Sequence, residues 1–156
     1  MKVTKESLSR QKAIKLIWSQ TSPDFRGQLG GKPSIMLNAA DGGGLCTVDG
    51  LTDAQFERYL QDAIDSKNRD TCKDLAVKIF SQHKDVFAPL DLLDKNCGTI
   101  NQWCRDFNGI RELVIGLGSK GDGHYSDDKA KEILKTVDHF EEVYNRTSEP
   151  SASLSR

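Results

Sequence analysis

Apolar residues recur at the three- and four-residue spacing of an amphipathic helix through most of this chain, and that periodicity limits its fold more than any other feature. The clearest stripe is Ala130, Ile133, Leu134, Val137, Phe140 and Tyr144, introduced by Ser126, Asp127 and Asp128. The serine predicts a helix cap, and the acids suit the positive end of the helix dipole. The same spacing joins Phe56, Tyr59, Leu60, Ala63 and Ile64, then Cys72, Leu75, Ala76, Ile79 and Phe80. Thr52 to Gln55 ahead of them reads as a capping box, the threonine accepting from first-turn amides while the glutamine reaches back. Whether these two runs form one helix or two stays open across Asn68 to Asp70. Pro89 interrupts the pattern, with one short turn expected at Asp91 to Leu93. Ile100, Trp103, Cys104, Phe107, Ile110 and Leu113 then predict a single helix capped by Thr99 and ending at Val114. Gly109 inside it costs about 1 kcal/mol relative to alanine, which marks close packing against a neighbour.

The N-terminal third reads differently. Glu6 to Gln20 predicts a basic amphipathic helix with Leu8, Ala13, Ile14, Leu16, Ile17 and Trp18 toward the core. Lys5, Arg10, Lys12 and Lys15 lie on its other side and, with Lys2, are candidate nucleic-acid contacts, or else an ordinary solvated face. Pro23, Gly27, Gly30, Gly31 and Pro33 end that pattern. Ser34 to Asn38 and Leu45 to Val48 are short β-compatible runs joined by Asp41-Gly42-Gly43-Gly44. Glycines take positive φ cheaply, so the link predicts a hairpin at about 34–48. Two strands alone are marginally stable, so the ribbon must lie on helices. The expected fold is mainly α, a helical bundle of about four to five helices over 52–145 with a small N-terminal β-hairpin. A single domain over residues 1–146 is expected, and the serine-rich stretch 147–156 with Pro150 reads as a disordered tail.

Composition narrows function mainly by exclusion. At 156 residues the chain has the commonest size of one domain, and 22 Lys and Arg nearly cancel 23 Asp and Glu, for a net charge of -1. Nothing global draws it to nucleic acid or to an anionic membrane. No apolar run approaches the roughly 18 to 20 residues of a membrane helix, and no signal-peptide core precedes the first helix, so a cytoplasmic location without membrane contact is expected. Cys46, Cys72, Cys97 and Cys104 lack the paired spacing of a zinc knuckle and read as reduced thiols, mostly in the core. Cys97 and Cys104, seven apart, would share a face of one helix, yet a metal site would need two more ligands. Neither a metal nor a cofactor is predicted. Asn145-Arg146-Thr147 matches a glycosylation acceptor that a cytoplasmic chain does not use. His83 and His139 read as surface residues.

Gly116-Leu117-Gly118-Ser119-Lys120-Gly121 matches G-x-G-x-x-G, with Glu112 to Ile115 as the strand that would precede it. A dinucleotide-binding unit needs a second parallel strand after its helix, and here the chain passes through the last helix into its tail. The Walker pattern also fails, because Asp122 follows Gly121 where lysine is required.

Asn108-Gly109-Ile110-Arg111-Glu112-Leu113, then Lys120-Gly121-Asp122-Gly123-His124, then a helix with Ala130 and Leu134, resembles the C-terminal domain of abortive-infection proteins, a branch of the HEPN helical families. Thr71-Cys72-Lys73 on a helix is similar too. The likeness covers about residues 62–144 and leaves the N-terminal helix and hairpin unexplained. It implies a defence or counter-defence context. In the family's ribonucleases an arginine and a histidine cooperate at a homodimer interface in metal-free cleavage through the ribose 2′-hydroxyl. The histidine carries over to His124, which can move protons near neutral pH. The arginine does not, since its place falls near Leu117 or Gly118. The local cations are Lys120 and, farther off, Arg111, and lysine lacks the bidentate fork that arginine presents to phosphate. The resemblance therefore implies binding, to a protein partner or to RNA or DNA, without catalysis. The alternatives are an endoribonuclease using His124, Lys120 and Arg111, and a nucleic-acid-binding regulator using the basic N-terminal helix. Asp122-Gly123-His124 also reads as a tight connection that helps to cap the next helix.

Overall fold

A computed structural model describes residues 2–21 and 30–147 of the chain. Among them, α1 (Arg10–Thr21) is followed by β1 (Ser34–Met36), β2 (Leu45–Thr47), α2 (Asp53–Ser81), α3 (Lys84–Phe87), α4 (Gly98–Trp103), α5 (Phe107–Leu117) and α6 (Asp127–Thr147). The fold is mainly α with a small antiparallel ribbon near the N-terminus, as the sequence pattern predicts. The chain forms two compact units, Val3–Asn68 and Met1–Lys2 with Arg69–Arg156. The stretch expected to be a tail lies, beyond Thr147, outside the described residues. Among the described residues no helix is long and apolar enough to cross a membrane.

In the unit Val3–Asn68 the first helix begins at Arg10, four residues later than its periodicity predicts. The Thr4 amide donates to Ser7 Oγ at 3.1 Å and the Ser7 hydroxyl donates back to the Thr4 carbonyl at 2.7 Å. That exchange closes a separate 3₁₀ turn at Lys5–Ser7, and Leu8 after it is extended, so helical dihedrals resume only later. α1 then buries Ala13 and Ile17. The ribbon pairs Ser34 with Thr47, Ile35 with Cys46 and Met36 with Leu45. Its link carries Gly42, Gly43 and Gly44 at φ of 97°, 68° and 84° in succession, a path that L side chains resist. Asp41 anchors this link. Its carboxylate accepts from the Tyr59 hydroxyl at 2.9 Å and pairs with Arg58, and the Arg58 hydrogen bond holds its pKa below the usual carboxylate value. Ile17, Ile35, Val48, Phe56, Leu60 and Ile64 form the unit's own core.

The capping box is present as predicted: the Thr52 amide donates to Gln55 Oε1 at 3.0 Å and the Gln55 amide to Thr52 Oγ1 at 3.1 Å. α2 runs from there without interruption for 29 residues, so the two apolar runs that the sequence leaves open belong to one helix.

In the unit that begins at Arg69, the rest of α2 and the helices α3 to α6 enclose Ile79, Phe80, Phe87, Ile100, Ile110, Val114, Ile133 and Val137. Phe80 and Phe87 stack with centroids 4.3 Å apart. The single helix expected from Thr99 to Val114 is two. Asp106 caps α5 by accepting from the Gly109 amide at 2.7 Å, and Cys97, not Thr99, caps α4 through its sulfur. A methyl group on Gly109 would lie 1.9 Å from the Trp103 carbonyl oxygen. The close packing expected at Gly109 is therefore contact with the last residue of α4. Cys97 and Cys104 are the two cap residues of α4, so neither lies within the helix that the sequence expects to carry both.

His83 departs from the surface position expected of it. The chain turns after Ser81 so that the imidazole is buried, with Nε2 3.0 Å from the Thr136 hydroxyl of α6. On α6, Ala130, Ile133 and Val137 are buried and Leu134, Phe140 and Tyr144 half-buried, the predicted stripe. Ser126 caps it, accepting from the Lys129 amide at 3.2 Å.

Candidate functional site

The connection from α5 to α6 holds two of the three candidate catalytic residues. Backbone bonds close it: Gly121 N to the Gly118 carbonyl at 2.9 Å, Asp122 N to that of Gly116 at 2.8 Å, Gly123 N to Gly118 at 2.7 Å and His124 N to Leu117 at 2.8 Å. A side chain at Gly121 is barred, since its Cβ would fall 2.0 Å from the Gly116 oxygen. Gly123 takes a φ of 77° where the chain reverses. The glycines of the apparent dinucleotide fingerprint thus serve a helix-to-helix turn, and Glu112 to Ile115 lie within α5 where that fingerprint needs a strand.

His124 and Lys120 are both exposed on this connection, and neither side chain makes a hydrogen bond or ion pair among the described residues. A general base works best when a third group fixes its ring, and His124 has none here. Arg111 is placed elsewhere. Its guanidinium donates to Asp138 at 2.7 Å, to Asn108 at 3.2 Å and to Glu141, pairings that raise its pKa. Leu117, where His124 is tied, lies six residues on, about 9 Å along the helix. Asp138 and Glu141 lie eleven and fourteen residues into α6, about 16 to 21 Å from its start. The side chain is held away from the turn by two carboxylates, while Lys120 and His124 share the turn.

The basic N-terminal residues also divide. Lys5 pairs with Glu57, and the Arg10 guanidinium carbon sits 3.9 Å from the centroid of the Phe56 ring. Lys12 and Lys15 are exposed on α1 without ion pairs among the described residues, and Lys2 is exposed. Two uncommitted lysines on α1 make a small footprint for a polyanion, whose grip scales with the number of phosphates neutralised.

All four cysteines are free thiols, with Cys72 and Cys104 buried and Cys46 and Cys97 half-buried. Burial pushes the Cys72 and Cys104 thiols up to about 12, which keeps them protonated and unreactive. No group of three or more His, Cys, Asp or Glu side chains among the described residues is placed to hold a metal ion.

A second feature is missed by the sequence reading. α2 and α6 leave between them a groove of about 350 Å³ lined by Thr71, Leu75, Lys78, His139, Phe140, Val143 and Tyr144. Leu75, Phe140 and Tyr144 belong to the predicted apolar stripes. Val143 stands off the stripe and is 41% exposed. An apolar residue beside the stripe is the one sequence signal for this groove. Comparison with protein-family models, with curated proteins and with solved structures finds no match to this chain.

Proposed function

We propose that this chain is a cytoplasmic, HEPN-like helical protein that acts by binding, chiefly to a protein partner, and not by catalysis. The observation that carries this reading is the commitment of Arg111 to Asp138 and Glu141, which keeps the bidentate guanidinium away from the α5–α6 turn and leaves the point charge of Lys120 beside His124. Exposed Trp103 and Ile115 in the same helical unit suit contact with another protein, tryptophan above all. The resemblance of residues 62–144 supports a defence or counter-defence setting.

A second reading, a metal-independent endoribonuclease, draws on the joint exposure of Lys120 and His124 on one turn. There His124 would act as general acid or base and Lys120 would meet the phosphate. One experiment separates the two. The purified protein and a His124→Ala variant are incubated without metal with mixed single-stranded and structured RNA. Intact RNA in both is the expected result. Cleavage by the parent that disappears in the variant overturns the binding reading in favour of the nuclease.

A further inference from the structure

We infer that the groove between α2 and α6 binds a small anionic amphiphile, a ligand with one compact alkyl or aryl body and one acidic head group. This goes beyond the reading above and stands independently of the RNA result. The groove's volume of about 350 Å³ lies at the lower end of the range typical of small-molecule sites. Its apolar lining is Leu75, Phe140, Val143 and the ring of Tyr144, and Val143 remains 41% exposed there.

The charge of the lining is one-sided: Lys78 contributes to it and no carboxylate does. The acids that would ordinarily neutralise Lys78 are engaged elsewhere. Asp74, one turn before it on α2, pairs with Lys95 at 3.1 Å. On α6, Asp138 and Glu141 hold Arg111, and Glu142 holds Arg146. Lys78 is exposed and has no ion-pair partner among the described residues. An ammonium beside an apolar floor, with no counter-ion of its own, is complementary to a ligand that brings the negative charge and the apolar body together. A neutral apolar ligand would gain nothing from the Lys78 ammonium, and a purely polar anion would leave Val143 and Phe140 wet.

The test uses 1-anilinonaphthalene-8-sulfonate, which joins one sulfonate to an aromatic body, and Nile red as its neutral counterpart. Both are titrated by fluorescence into the folded protein and into Lys78→Glu, Val143→Glu and Ile115→Glu, three changes at exposed positions whose folding is checked by circular dichroism. The proposal expects saturable one-site binding of the sulfonate. Its affinity should fall about tenfold in Lys78→Glu, since reversing the charge replaces an attraction with a repulsion. It should be lost in Val143→Glu and unchanged in Ile115→Glu. Nile red should be sensitive to Val143→Glu alone. Absence of saturable binding, or equal affinity in parent and Val143→Glu, overturns the site. Sulfonate affinity untouched by Lys78→Glu overturns the anionic ligand.

Discussion

His83 is the buried polar side chain with the most exacting surroundings. Its Nε2 meets the Thr136 hydroxyl, while Lys129 with its partners Asp85 and Glu132 supplies the neighbouring charge. Burial, reinforced by Lys129 and opposed by Glu132 and Asp85, lowers its pKa below the ordinary value of 6.5. The sign of the consequence follows from proton counting. Below the ordinary value the unfolded chain takes up a proton that the folded chain resists, so stability declines as the pH falls through that region and is flat above it. The melting temperature should therefore drop between about pH 7 and pH 5, and His83→Gln should lose part of that slope while keeping a side chain able to reach Thr136. Equal slopes in parent and variant would show that other groups carry the acid sensitivity. This burial is illegible in the sequence, where Gln82-His83-Lys84 looks like any solvated stretch. What buries the ring is the turn after Ser81, which aims it at a residue fifty-three positions away.

Element boundaries divide in the same way between local and non-local causes. The Thr52 and Gln55 exchange, the Ser126 cap and the three left-handed glycines are legible because each depends on residues within four positions of one another. The break between α4 and α5 is not. Ile100, Cys104, Phe107 and Ile110 keep helical spacing straight across it, so the apolar phase survives while the hydrogen-bond ladder does not. The only local trace is the aspartate three residues before Gly109, a capping arrangement hidden inside an unbroken stripe. Gly109→Ala tests this junction. In a continuous helix the change would stabilise by about 1 kcal/mol. Here the added methyl would meet the Trp103 carbonyl at 1.9 Å, so the variant should lose about 2 to 3 kcal/mol in urea denaturation. A stabilised variant would mean that the turn yields. The candidate site follows the same rule. His124 and Lys120 are legible as turn residues, but the capture of Arg111 depends on carboxylates twenty-seven and thirty residues away, and the groove beside Val143 depends on α2 packing against α6.

On the scale of the whole chain, α2 is the element that both units use. Phe56, Leu60 and Ile64 from its first half are buried in the core of Val3–Asn68, and Cys72, Ala76, Ile79 and Phe80 from its second half in the core of the unit that begins at Arg69. Helical stability in folded proteins comes mostly from such packing and only weakly from propensity. Each half of α2 should then be as stable as the core it serves. Ile17→Ala removes a side chain that is 1% exposed in the first core and should cost about 3 kcal/mol. Native-state hydrogen exchange on that variant should accelerate at the amides of residues 53–68 while those of 69–81, held by Ile79 and Phe80, keep their parental protection. Acceleration spread evenly along the helix would instead make α2 a rigid coupler, through which damage to either core is felt by both. The helix has no glycine or proline at which it could fray midway, so the outcome depends on whether side-chain packing or the unbroken hydrogen-bond ladder governs its opening.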